Sequence, residues 1–253
     1  MKQKSDRSLK RYFLLIFMLS LTVSLFAHYT WITPAPAIVE VGKSVKIRFM
    51  EGHAFPDGGG PVRDMKAKLT LLQPSGKSVK LTPADQGNGL EASFQATSRG
   101  VYRLAGELDY GVSSRTPSGL KMGGRSKNPK AISATKYYGS FLCAVRTSPS
   151  PLSSSGPLMG LPFEISWTRQ GNRLIIRAAA DNKPAPGVEI SAAFGTGEPQ
   201  TKGNTDTAGN LTLDVPGNFQ GLILLNGLWV KSMPPGADYD TERSNSSYYL
   251  NWE

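Results

Sequence analysis

From residue 44 onward apolar and polar side chains alternate one by one. In SVKIRF, residues 44–49, Val45, Ile47 and Phe49 fall on one side, while Lys46 and Arg48 fall on the other. AKLTLL, LEASFQA, VYRLAGEL and YYGSFLCAV repeat the pattern, and PSG, QGNG and SRG separate the runs. A period of two is what a strand with one buried face requires, and Gly, Asn and Pro supply the turns between such strands. No stretch after residue 27 shows the three-to-four-residue apolar spacing of an amphipathic helix. Short strands with frequent turns predict antiparallel β-sandwiches.

TSPSPLSSSGPLMGLP, residues 147–162, breaks the alternation with Pro and Ser, so 148–162 reads as a linker. Beyond it the pattern returns in FEISW, RLIIRAAA, VEISAAF, LTLDV, GLILLNGLWV and SSYYLNW. KPAPG marks a tight corner and DTAGN a hairpin turn within that half. The expected architecture is all-β: two immunoglobulin-like antiparallel β-sandwich domains, residues 28–147 and 163–253.

The first 27 residues differ in kind. Five basic residues precede an apolar run from Tyr12 to Phe26, which a small residue, Ala27, closes. This is the layout of a signal peptide, and it predicts cleavage after Ala27 and a periplasmic or secreted protein. Leu25 stands where a small residue is usual, so an uncleaved anchor is the alternative. The whole chain carries +10; setting aside the leader's five cations and one anion leaves +6. Residues 115–136 hold six basic and no acidic residues, but among Gly, Ser and Pro rather than interleaved aromatics. That composition reads as a solvated loop, not a nucleic-acid surface. Cys143 is the only cysteine, so no intrachain disulfide forms; its place in SFLCAV makes it a small core residue.

Enzyme signatures are incomplete. VGKS at 41–44 lacks the first Gly of a phosphate loop, GNG at 87–89 lacks the third Gly of a dinucleotide fingerprint, and neither GxSxG nor HExxH occurs. No catalysis is expected. The two histidines, His28 and His53, lie within 26 residues of each other. Cleavage after Ala27 would make His28 the terminal residue, whose amine and ring Nδ1 chelate one metal. His53, on a Gly-flanked turn after SVKIRF, would add a second imidazole if residues 31–41 run antiparallel beside that strand. Glu51, Asp57, Met50 or an aromatic hydroxyl are the further donors. A free amine has a pKa of about 8 and must lose its proton to coordinate, so binding weakens as pH falls. A nitrogen-rich site suits divalent Cu, Ni, Co or Zn. Trp31 is expected to pack beneath the first strand.

AHYTWI at 27–32, GHAFP at 52–56, QPSG at 73–76, TKYYGSF at 135–141 and NKPAPG at 182–187 together resemble an exported bacterial family of uncharacterised proteins. That family was once described as periplasmic nickel- or cobalt-uptake components. The likeness spans nearly all of the chain beyond the leader. It implies a periplasmic metal-binding protein with His28 and His53 at the motif positions, cofactor Ni, Co or Cu, and a metal transporter in the membrane as partner. Family members place an aromatic shortly before the GH, where this chain has Met50 and Glu51. Two rival readings follow from the residues. One is a carbohydrate-binding or adhesive surface module offering Tyr137, Tyr138, Trp229, Tyr248 and Tyr249 for stacking. The other is a copper histidine-brace oxidase.

Overall fold

A computed structural model describes residues 29–253 apart from 54, 57, 58, 64, 86, 88 and 148–151. The leader, His28 and Asp57 therefore lie outside the described residues. Among those described there is no helix. The strands of the first part are β1 (Tyr29–Ala35), β2 (Ser44–Gly52), β3 (Gly59–Pro61), β4 (Ala67–Leu72), β5 (Ser78–Leu81), β6 (Ala84–Asp85), β7 (Leu90–Gln95), β8 (Val101–Thr116), β9 (Gly119–Met122) and β10 (Ser133–Arg146). Those that follow are β11 (Phe163–Gln170), β12 (Arg173–Ala180), β13 (Lys183–Pro184), β14 (Glu189–Phe194), β15 (Thr201–Asn204), β16 (Asn210–Asp214), β17 (Gly221–Ser232) and β18 (Thr241–Trp252).

These strands form three open sheets. The outer two run β1-β2-β7-β6, with β3 added to β2, and β11-β12-β13, with β16 added to β12. Between them lies a sheet of order β15-β14-β17-β18-β10-β8-β4-β5, with β9 added to β8. Strands from both halves of the sequence thus share one sheet. The seam is a parallel pair, β10 with β18, running from Thr135 opposite Thr241 to Cys143 opposite Tyr249. All the other ladders are antiparallel among the described strands. The sequence pattern could not reveal the parallel seam, because alternation specifies a face and not a neighbour.

Two cores result. Phe141, Cys143, Val145, Leu224 and Tyr249 face the sheet of β1 and β2, joining Trp31, Ile32, Ile47 and Phe49. Leu142, Ile223, Leu225, Tyr248 and Leu250 point the other way, onto Phe163, Ile165, Leu174 and Ile176. This is why β10 and β18 read as nearly unbroken buried runs. At Gly106 the layers touch: a Cβ there would stand 2.9 Å from the Phe49 ring and 3.2 Å from Ile32. Tyr102, fully buried, donates from its hydroxyl to the Ser98 carbonyl and accepts from the Ser98 N–H. Such a hydroxyl tie to the backbone a few residues upstream recurs at corners of immunoglobulin-like sandwiches.

Two segments are more ordered than their composition suggests. The Ser155 N–H donates to Trp167 and the Arg169 N–H to Ser153, so residues 153–155 dock against β11. The buried Glu164 carboxylate accepts the N–H groups of Met159, Gly160 and Leu161, a geometry that sets the approach to β11. Burial raises the Glu164 pKa against those same hydrogen bonds, which lower it. Residues 115–136 form a hairpin and a tight turn rather than a shapeless loop, because β9 pairs with β8 and the Ile132 N–H donates to Arg115.

Glu91 on β7 is buried between Lys46 and Arg48 at 3.0 and 2.6 Å. Burial opposes its ionisation, but hydrogen bonds from both cations hold its carboxyl below the usual range. A depressed folded-state pKa stabilises above the unfolded value of about 4.3, and that gain is lost as pH falls through the folded pKa. Glu91→Gln should therefore cost about 1 kcal/mol near neutrality. Thermal melts from pH 7 down to pH 3 should show the gap between variant and wild type closing; a gap that stays constant contradicts this assignment.

Candidate functional site

The end of the first sheet is built by the β1–β2 ladder. Tyr29 pairs with Gly52, Thr30 with Glu51 and Trp31 with Met50, so the start of β1 lies beside the end of β2. This is the strand pairing that the sequence suggested. The structure brings Glu51 to the same rim as Tyr29, places Met50 against the first core, and leaves His53 exposed just past β2. His28 and Asp57 are outside the described residues, so the donor set of four is not seen together. Among the described residues no group of three or more His, Cys, Asp or Glu gathers as a metal site.

The turn carrying His53 is anchored by Phe55. Its N–H donates to the Gly197 carbonyl at 2.9 Å, and the Gly197 N–H donates back at 2.6 Å. Its ring meets Trp31 and Tyr249 edge to face, each with centroids 5.7 Å apart. Trp31 is fully buried, as expected. The GHAFP motif is thereby fastened to the β14–β15 turn, which bears Glu198.

A cleft of about 800 Å³ opens beside this rim. One wall is Tyr29, Thr30 and Glu51, and the opposite wall is the segment from Glu198 to Lys202. The floor is the central sheet, with Tyr137 from β10, Asn226 and Leu228 from β17, and Arg243 and Asn245 from β18. The cleft exists because the first sheet covers the floor only part of the way along its strands. A bulge re-aims one more ring. β10 pairs Tyr137 with Gly111 and Tyr138 with Asp109, leaving Tyr110 unpaired. Gly111 takes φ +76°, which a Cβ would strain, and donates its N–H to the Asp109 carboxylate at 2.9 Å. Tyr110 then shares a 3.0 Å hydrogen bond between its hydroxyl and that of Thr30.

Electrostatically the cleft is mixed. Burial pushes the Tyr110 phenol up to about 12, with the Thr30 hydrogen bond acting against the rise and the Glu51 charge adding to it. The Tyr29 phenol is also raised, by burial first and then by Glu198 and Glu189. The Tyr138 hydroxyl donates to Glu107, and burial with that bond raises it further. These phenols are neutral hydrogen-bonding groups at pH 7. Glu189 pairs with Lys202 at 3.5 Å on the exposed side. Buried Oδ1 atoms of Asn226 and Asn245 have no hydrogen-bond partner among the described residues. The arrangement suits a polar ligand held by hydroxyls, carboxylates and ring faces.

Of the aromatic residues considered for stacking, Tyr248 and Tyr249 are core residues. Trp229 lies on Phe163 with centroids 6.2 Å apart. Tyr137 and Tyr138 alone among the five line the cleft. Tyr110, Glu189, Glu198, Asn226 and Asn245 were not foreseen. They come from strands far apart in sequence, and no local motif marks them.

The model of a family described as "Domain of unknown function (DUF4198)" matches residues 25–230. No curated protein matches the chain. Among solved structures, the adhesin InvE of Yersinia pseudotuberculosis is similar at 15% identity and a TM-score of 0.26, covering 88% of this chain and 58% of that one. Native α2-macroglobulin of Escherichia coli, spanning domains MG0-NIE-MG1, gives 12%, 0.26, 88% and 64%. A DUF4785 family protein of Legionella pneumophila gives 10%, 0.28, 80% and 52%. The chain spans little more than half the length of these structures.

Phe55 joins three elements, so Phe55→Ala should destabilise the protein by about 3 kcal/mol. Denaturant unfolding measures it. A loss below about 1 kcal/mol would mean that the turn is not held by this ring.

Proposed function

The chain belongs to the DUF4198 family, and from that premise we propose that it is an exported protein that binds a divalent transition metal at the rim where β1 begins and β2 ends. The observation that carries the reading is the register of Tyr29 opposite Gly52. His28 precedes Tyr29 and His53 follows Gly52 in the chain. The donors are the amine and imidazole of His28 and the imidazole of His53, with Glu51 and Asp57 as carboxylates. Nitrogen donors with carboxylates fit Ni(II), Co(II) or Cu(II). The metal is cargo, held for a membrane transporter of nickel or cobalt, and no chemistry is done on it. In this reading the fold is two immunoglobulin-like sandwiches, residues 28–147 and 163–253, that share the middle sheet. The two separate cores and the Tyr102 corner support it.

Titration calorimetry with Ni(II) and Cu(II), on the chain from His28 onward, tests the reading. One metal per chain is expected, weakened about a hundredfold by His53→Ala or by one residue added before His28. Binding should also weaken as pH falls from 8 to 6, as the amine gains its proton. No binding, or undiminished binding by His53→Ala, removes the proposal.

A second reading, glycan binding, is favoured by Tyr137 and Tyr138 at the cleft. It predicts that an oligosaccharide perturbs tyrosine fluorescence in wild type and not in Tyr137→Ala, with metal binding unchanged. Identical responses from the two proteins exclude it.

A further inference from the structure

The β8–β9 hairpin and the residue before β10 carry the most exposed large apolar side chains of the described residues. Met122 is 68% exposed, Ile132 66% and Leu120 55%. Single exposed apolar residues are ordinary, but three of them at one rim of a sheet are a surface feature. Their placement follows from the register. Arg115 pairs with Leu120 and Ser113 with Met122, which puts Leu120, Met122 and Arg115 on one face of the ribbon. Ile132 donates its N–H to the Arg115 carbonyl at 2.7 Å and so stands at the same end of the sheet, one residue out of step with Ser133, which pairs with Arg115. The turn between β8 and β9 is tightened by the Thr116 hydroxyl donating to the Gly119 carbonyl at 2.8 Å. The apolar side chains are thus held on a built hairpin.

Cations surround them. Arg115, Lys121, Lys127 and Lys130 are exposed, and the segment from 115 to 136 contains no acidic residue. Two acids approach from the β17–β18 connection. Asp240 takes Arg125 at 2.8 Å, and Asp238 accepts the Ser126 N–H at 2.7 Å and attracts Lys127. Arg115, Lys121 and Lys130 have no ion-pair partner among the described residues.

We propose that this hairpin rim docks the protein on an anionic phospholipid surface, with Leu120 and Met122 entering the headgroup boundary and Arg115, Lys121 and Lys130 pairing with lipid phosphates. Apolar side chains ringed by Lys and Arg are the combination that interfacial binding uses, each cation adding to attraction that salt screens within about 10 Å at 0.1 M. A nucleic acid would want cations interleaved with aromatic platforms, and this rim has none. A partner protein with an acidic surface shares the charge argument, and failure of the chain to bind anionic vesicles would favour it. His53 and Glu51 take no part, so the inference stands or falls separately from metal binding.

Vesicle co-sedimentation of the chain from His28 onward, which holds every described strand, tests it. The expected result is binding to vesicles of phosphatidylcholine with 30% phosphatidylglycerol, at least tenfold tighter than to phosphatidylcholine alone. Leu120→Asp with Met122→Asp should weaken it at least tenfold, and Lys121→Glu with Lys130→Glu should weaken it and flatten its salt dependence. All four sites are exposed, so melting temperatures should match wild type and show that folding is intact. Failure to bind the anionic vesicles, equal binding to both vesicle types, or undiminished binding by the apolar pair would overturn the proposal. So would a dimer, seen by sedimentation velocity, that the same apolar pair dissociates in the absence of vesicle binding, because the rim would then be covered by a second copy.

Discussion

The register of β10 against β18 is the constraint on which the rest of the molecule depends. Nine residue pairs, from Thr135 and Thr241 to Cys143 and Tyr249, join strands that are about a hundred residues apart in sequence. A parallel ladder of that separation gives up more chain entropy than a hairpin before any contact forms. What offsets the loss is burial on both faces. Phe141 and Tyr249 close one core while Leu142 and Tyr248 close the other, so successive pairs of the ladder serve the two apolar layers in turn. A slip of one residue would turn all of these side chains to the wrong core, and that penalty fixes the register.

The same register places the cleft. Where β10 and β18 carry Phe141 and Tyr249, the first sheet lies over them. A few residues toward the Thr135 and Thr241 end, the partners become Tyr137 and Arg243, and the cover stops. The floor of the cleft and the core beneath the first sheet are therefore one continuous face. Phe55 stands at the boundary, packed on Tyr249 below and bonded to Gly197 above. The turn with His53, the segment with Glu198 and the Tyr29 end of β1 are held together by that arrangement rather than by any one loop. Beyond the cleft the face runs on to Met122 and Leu120, so rim, cleft and hairpin occupy one side of the middle sheet.

Individual strands were legible in the sequence, and their neighbours were not. SVKIRF shows Val45, Ile47 and Phe49 on one side, and all three are fully buried in β2. Cys143 was readable as a core residue from its flanks, and its burial drives the thiol pKa up. The antiparallel β1–β2 pair was readable because the segments are close in sequence and a hairpin-like return is cheap. The parallel seam was invisible because both strands are buried on both faces over much of their length and nothing local records which strand lies alongside. Residues 147–162 and 115–136 looked loose by composition. Order in residues 153–161 and 115–136 comes from long-range bonds, to Trp167 and Glu164 in one and to Asp238 and Asp240 in the other, which composition cannot report. The gathering of Glu51, Tyr110 and Glu198 around one cleft belongs to the same class, while GHAFP was visible as a motif without its anchoring role.

Native-state hydrogen exchange across β10 and β18 tests the shared sheet most directly. If the seam unites the two cores, the ladder amides of both strands should exchange in one slow class and open with a common free energy. If amides of β18 exchange through an opening of residues 163–253 while those of β10 stay protected, the halves are held together by less than a continuous sheet, and the account of the cleft built on that sheet would be contradicted.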